Sequence, residues 1–140
     1  MQIKKLTLSD AEQAYNMLIA ADRTYSSLSA IKEMLSDKKT HIFGAFDGDK
    51  IVGISLCYEL LRPSDKKELL GHGIDILPEL RGRGIGTKIN EFRKNWAREN
   101  GFSEIWTVIR HDNIASRRAN EKSDAKWDGK NSCVYTIKLS

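Results

Sequence analysis

Just after Pro78 the chain runs Arg81-Gly82-Arg83-Gly84-Ile85-Gly86-Thr87-Lys88 and then enters a long amphipathic segment. Glycines at alternate positions leave backbone N–H groups uncovered by side chains. They lead directly into a helix start, where the first donors have no intrahelical acceptor and the helix dipole is positive. That combination is a phosphate cradle. Arg81, Arg83 and Lys88 add cationic side chains around it, and Thr87 adds a hydroxyl donor. Three glycines so placed are costly in backbone entropy for a turn that merely joins two elements. Spacing excludes both common nucleotide loops. A P-loop needs Lys directly after its last glycine, whereas Gly86 is followed by Thr87 and only then by Lys88. A dinucleotide fingerprint needs its third glycine where Thr87 stands.

The segment behind the turn predicts a helix with Ile85, Ile89, Phe92 and Trp96 on its apolar face. Lys88, Arg93, Lys94 and Arg98 are expected elsewhere on its surface, and Gly101 is the expected stop. Upstream, residues 3–6 read as a short strand. Ser9 and Glu12 have capping-box spacing ahead of a helix to about residue 20, and a second helix is expected from about residue 29, with Ile31, Met34 and Leu35 on one face. Residues 41–46 and 50–58 read as strands joined by Asp47-Gly48-Asp49, a hairpin signal. Residues 69–77 and 105–109 read as further strands, residues 113–122 as a helix. Lys126-Trp127 and residues 133–139 are expected as hairpin arms around Asp128-Gly129. The sum is an α/β chain with about six or seven strands and about four helices.

With 140 residues there is room for one core, so residues 1–140 are read as a single domain. Hydrophobic residues at 40% and charged residues at 30%, with only two prolines, fit a folded chain and not a disordered one. The longest apolar runs are too short to span a bilayer and no signal-peptide core follows Met1, which places the protein in the cytoplasm without a membrane partner. Cys57 and Cys133 lie far apart without metal-ligand spacing and are expected as reduced core thiols, so no metal is expected. The net charge of +4 is compatible with nucleic acid, with an anionic cofactor or with no charged ligand at all, and its distribution has to decide. Nucleic acid is not expected as a partner, because Arg81 and Arg83 are interleaved with glycine and not with stacking aromatics.

The stretch Ile76-Leu77-Pro78-Glu79-Leu80-Arg81-Gly82-Arg83-Gly84-Ile85-Gly86 resembles the acetyl-CoA signature of the GNAT superfamily of N-acetyltransferases, Arg/Gln-x-x-Gly-x-Gly/Ala with the strand before it. The order of elements along the whole chain agrees with that family. The resemblance implies a single-domain GNAT-like fold with a mixed central sheet, and acetyl-CoA as cosubstrate. It implies that backbone N–H groups of Arg81, Gly82, Arg83, Gly84, Ile85, Gly86 and Thr87 bind the pyrophosphate of coenzyme A, while Ile74 and Ile76 pair with its pantetheine arm. The strand at residues 105–109 would splay away to open a wedge for that arm. Asn113-Ile114-Ala115-Ser116 is similar to the family's second motif, which puts Asn113 and Ser116 beside the cofactor arm, although Asn113 is equally a helix N-cap. Where many members carry a tyrosine that protonates the leaving thiolate, this chain has Asn120.

Acetyl transfer to an amine needs the amine neutral. Deprotonating a lysine-like amine at neutral pH costs roughly 4 to 5 kcal/mol, an α-amino group only about 1. A general base therefore matters more for the first. His72, on the strand leading into the turn, is the first candidate, because histidine is the side chain suited to proton transfer near neutral pH. Glu68, at the start of that strand, is the alternative, and His111 could equally be a loop residue. Arg110, Arg117 and Arg118 form a second basic cluster, either near the ligand or on a solvated helix face. The expected activity is transfer of an acetyl group from acetyl-CoA to a primary amine by direct attack in a ternary complex, from a monomer or homodimer. The alternative is a coenzyme A-binding sensor of the same fold without turnover.

Overall fold

The computed structural model describes residues 1–127 and 137–138. Five strands form one sheet in the order β1-β2-β3-β4-β5: β1 (Gln2–Lys5), β2 (Thr40–Asp47), β3 (Lys50–Leu60), β4 (Glu68–Ile76) and β5 (Glu104–Thr107). Neighbours are antiparallel except β4 and β5, which run parallel because a helix, α3 (Ile85–Glu99), crosses between them. Three more helices follow the expected pattern: α1 (Ala11–Ala20), α2 (Leu28–Ser36) and α4 (Ile114–Lys122).

The sheet thus has five strands among the described residues, against six or seven expected. Lys126 and Trp127 carry no strand, and most of the second expected arm falls on residues 128–136 and 139–140, outside the described residues. The start of α1 also differs. A 3-10 turn at Leu8–Asp10 precedes it, and the Asp10 carboxylate accepts from Thr7 N–H at 2.8 Å, so Thr7 with Asp10, and not Ser9 with Glu12, forms the reciprocal cap.

Successive residues of a strand face opposite sides, and here they feed two cores. Ile42 and Ile54 join Ala14, Met17 and Ile31 of α1 and α2 in one cluster, which also takes in Ile85 and Ile89. Phe43 and Cys57 join Leu69, Ala97 and Phe102 beneath α3, with Phe92 and Trp96 packed against them. Gly53 sets how closely α3 approaches the sheet: a Cβ there would lie 2.8 Å from Ile76 Cδ1 and 3.2 Å from Ile89 Cδ1.

Two strand irregularities position the site. The β3–β4 register shifts between Ser55 and Cys57, so His72 and Gly73 together oppose Leu56, and Gly73 takes φ +80°. An extra residue of this kind bends its strand. The parallel ladder runs from Glu68↔Glu104 to Gly71↔Thr107 and stops at the bulge. Beyond it β4 continues to Ile76 without a partner on that side, and the two strands fork.

Candidate active site

The glycine turn sits at the head of α3. Gly82 and Gly84 adopt φ +76° and +78°, in the left-handed region that side chains disfavour. A Cβ at either would meet no heavy atom within 4 Å, so the turn faces open space. Gly84 is the N-cap of α3 and no side chain caps it. Arg81 N–H reaches Pro78 O at 3.4 Å, and the next N–H bonded to a backbone carbonyl is that of Lys88, to Gly84 O at 3.1 Å. The donors of Gly82, Arg83, Gly84, Ile85, Gly86 and Thr87 lie between. These residues fit a diphosphate: an open bend, a run of donors without backbone acceptors, and no carboxylate in the turn. Arg83 and Lys88 are exposed around it, whereas Arg81 donates from Nε to Ile76 O at 3.2 Å and so ties the turn to the end of β4. The Ile85 side chain is buried in the core, leaving only its main chain for a ligand.

Below the turn, a narrow cleft occupies the fork between β4 and β5. Gly73, Ile74, Arg93, Thr107, Val108, Ile109, Ser116 and Asn120 line it. Ile74 and Ser116 are therefore brought to the fork, while Ile76 stands at the end of β4 beside the turn. Asn113 caps α4, accepting Ser116 N–H on its side-chain oxygen at 3.1 Å. Asn120 is buried and donates from Nδ2 to Ser116 O at 2.8 Å.

His72 is exposed at the bulge, with its ring centroid 6.1 Å from that of Tyr58. Glu68 is not brought to the fork. It begins β4 at the closed end of the ladder, three pairs back from Gly71, buried, with its Oε2 2.9 Å from Arg62 Nε. Those two atoms attract by charge without hydrogen-bond alignment, since Oε2 has no hydrogen-bond partner. His111 is exposed and offers its carbonyl to Arg117 at 3.2 Å. Arg110 is taken up by an exposed ion pair with Asp112 at 2.9 Å, which holds that carboxyl below the usual range.

Arg93 departs most from the sequence reading. Expected on the surface, it is 4% exposed beneath the sheet, with Asn90 buried beside it. Its Nη2 donates to Asn90 Oδ1 at 2.7 Å, Nη1 reaches Ser55 Oγ at 3.5 Å and Cys57 Sγ at 4.0 Å, and Nε has no partner. Gly71 makes room for it: a Cβ there would lie 3.0 Å from Arg93 Cζ and closer still to Nη1. The signal was present in the spacing, because Ile85, Ile89, Arg93 and Ala97 recur every fourth residue on one stripe, and the other three are buried.

A sheet forked at a β4 bulge, with an open glycine turn heading the crossover helix, defines an α/β architecture found across many solved structures. One is an aminoglycoside acetyltransferase from an uncultured soil metagenomic sample in complex with sisomicin, 19% identical, TM-score 0.82, matching 98% of this chain and 96% of that one. Another is the ribosomal-protein-alanine N-acetyltransferase of Brucella melitensis biovar Abortus 2308, 20% identical, TM-score 0.82, over 99% and 100%. A third is an aminoglycoside N-acetyltransferase in complex with CoA, 15% identical, TM-score 0.81, over 99% and 95%. No curated protein sequence matches the chain. The profile of the Acetyltransferase (GNAT) family matches residues 6–123, and the chain belongs to that family. Among the described residues no helix is long and apolar enough to cross a membrane, and no group of His, Cys, Asp and Glu is arranged for a metal.

Proposed function

We propose that this protein is an N-acetyltransferase that moves an acetyl group from acetyl-CoA to a primary amine. The observation that carries the proposal is the open turn at Gly82 and Gly84, whose main-chain donors have no acceptor of their own, set directly above a forked pair of strands. In this reading the donors of Gly82, Arg83, Gly84, Ile85, Gly86 and Thr87 hold the diphosphate, with Arg83 and Lys88 attracting its charge. The free edge of β4 around Ile74 guides the carrier arm, and Ser116 flanks it. Acetyl-CoA supplies an activated thioester. His72, exposed at the bulge, accepts the amine proton directly or through water.

For the acceptor, the solved relatives offer aminoglycosides and a protein amine. The carboxylates nearest the exposed side of β3 and β4 favour the less charged class. Asp75 is held by Arg23 at 2.6 Å, Glu59 by Lys39 and His41 at 3.1 and 3.0 Å, and Glu68 lies against Arg62. A polycation would have to displace those partners, whereas an α-amine or a monoamine needs no acidic surface.

Asn120, an amide where the family often has a proton-donating tyrosine, favours the second reading, a coenzyme A sensor. Thiol release from acetyl-CoA with a panel of amines separates the two. Release with any amine supports transfer; binding without release across the panel supports the sensor. Calorimetry with Gly84→Val tests the grip itself. A residue forced to φ near +78° costs about 1–2 kcal/mol of stability, and its side chain enters the open bend. CoA affinity should drop at least about tenfold in a variant that still melts cooperatively. Wild-type affinity retained in Gly84→Val would dismiss the cradle.

A further inference from the structure

The guanidinium of Arg93 is a buried charge with no acidic partner among the described residues. Its neighbours are a carboxamide, a hydroxyl and a thiol, and its Nε is bare. Burying a charge without a counter-charge is strongly unfavourable, and a long hydrophobic side chain would pack there more easily. An anion arriving in the fork would complete the site. Arg93 lines two cavities. One of ≈ 290 Å³ is shared with Glu104 and Asp124, whose carboxylates disfavour an anion there. The other, at the fork, has an open volume of ≈ 20 Å³, room for about one water-sized group, and suits the tip of a chain threaded between the strands. The same cleft holds Asn120, whose amide cannot give up a proton and whose Nδ2 is bonded to Ser116 O at 2.8 Å.

We infer that Arg93 is the group that receives the leaving thiolate, meeting by fixed positive charge what many relatives meet with a proton. The inference rests on the acetyl-CoA reading above. As the amine nitrogen bonds to the acetyl carbon, the carbon–sulfur bond breaks and its electron pair stays on sulfur. The amine proton goes to His72 or water, and the sulfur leaves as an anion against the guanidinium, with no proton donor required. Gly71 is then a specificity device in β4, since any side chain there would push the guanidinium away from the fork.

The titratable group in contact with the guanidinium is Cys57 on β3, while Glu104 and Asp124 line the larger cavity that Arg93 shares. Burial pushes its thiol up while Arg93 draws it partly back, so it stays protonated through neutral pH. Ser55, Thr107, Ser116 and Asn120, from the other elements around the cleft, do not titrate near neutrality, and Lys94 turns to Glu91 and Asp124 at 3.0 and 2.9 Å.

The test is binding of CoA itself, without turnover, measured by calorimetry and by the ultraviolet absorbance of the bound thiolate. An opposite charge at contact lowers an acid's pKa by about 1–3 units. The expected result is that CoA binds up to about tenfold tighter as pH rises from about 7 to about 8.5, with thiolate absorbance appearing below the range of a free thiol. Arg93→Met should bind CoA with neither effect, and Arg93→Lys should restore part of both. Desulfo-CoA should show no pH dependence with any variant, and a Cys57→Ala, Cys133→Ala background removes both protein thiols from the signal. CoA binding with the same pH dependence in wild type and Arg93→Met would overturn the role of Arg93 while leaving the cradle intact. Absence of CoA binding to the wild type at every pH would remove the acetyl-CoA reading and this inference with it.

Discussion

Replacing Arg93 by methionine distinguishes a strut of the fold from a group kept for a ligand. Removing the guanidinium relieves the desolvation of a charge that is 4% exposed, an effective penalty of several kcal/mol when no counter-charge is present. It also removes a charge-assisted hydrogen bond to Asn90 Oδ1 at 2.7 Å, worth about 1.5–3 kcal/mol. The reach to Ser55 Oγ at 3.5 Å and Cys57 Sγ at 4.0 Å adds little at those lengths. Asn90 keeps its Nδ2 bond to Ala119 O at 3.4 Å, and methionine fills an irregular space well. The variant should therefore range from unchanged to about 2 kcal/mol more stable. Each kcal/mol raises the melting temperature by about 4 °C in a chain of this size. Urea denaturation and scanning calorimetry measure both quantities. A loss of more than about 2 kcal/mol would show that the arginine holds α3 to the sheet, and the premise that its charge awaits a ligand would fail.

Gly53→Ala should lower stability by about 1–3 kcal/mol, because its Cβ would press on Ile76 Cδ1 at 2.8 Å and Ile89 Cδ1 at 3.2 Å; an unshifted melt would mean α3 does not lie so close. His41 should make the fold acid-sensitive. Burial is the largest influence and holds its pKa below the usual 6.5 against the opposing hydrogen bond that its Nε2 donates to Glu59, and Nδ1 has no partner that could accept an added proton. The unfolded chain therefore binds the proton first, so stability is full above pH 6.5 and declines as pH falls below it. Glu59 extends the decline below 4.5: burial alone would raise its pKa, but the hydrogen bonds from His41 and Lys39 outweigh it and hold the group low. A melting temperature constant from pH 7 to pH 4 would refute both assignments. His72→Ala should slow transfer to lysine-like amines more than to α-amines, because the costlier deprotonation depends more on a base. Unchanged rates with both amine classes would exclude the imidazole.

Local chemistry was legible where it acts through neighbours in the chain. The glycine spacing, the start and stop of α3, the Asp47-Gly48-Asp49 hairpin and the helix cap at Asn113 all depend on backbone conformations that a few adjacent residues decide. The left-handed bend at Gly82 and Gly84 belongs to that class, and so do the four helices and five strands of the described residues. Asp124 goes further than composition suggests: it takes φ +67° without being glycine, tied by its carboxylate to Lys94 at 2.9 Å.

What the sequence could not supply was the third dimension of β4. The bulge at His72 and Gly73 exists only against Leu56 of β3, and it is this pairing that ends the ladder at Gly71 and opens the fork. Glu68, four residues from His72 in sequence, ends at the closed end of that ladder against Arg62. Arg93 read as a surface cation because a charged side chain on a helix is normally solvated. Tertiary packing places it under Gly71, a strand position with no side chain to exclude it, 22 residues earlier in the chain. Burial of a charge is decided by what the facing element leaves empty, and a single sequence carries that information only in pairs of residues that folding brings together.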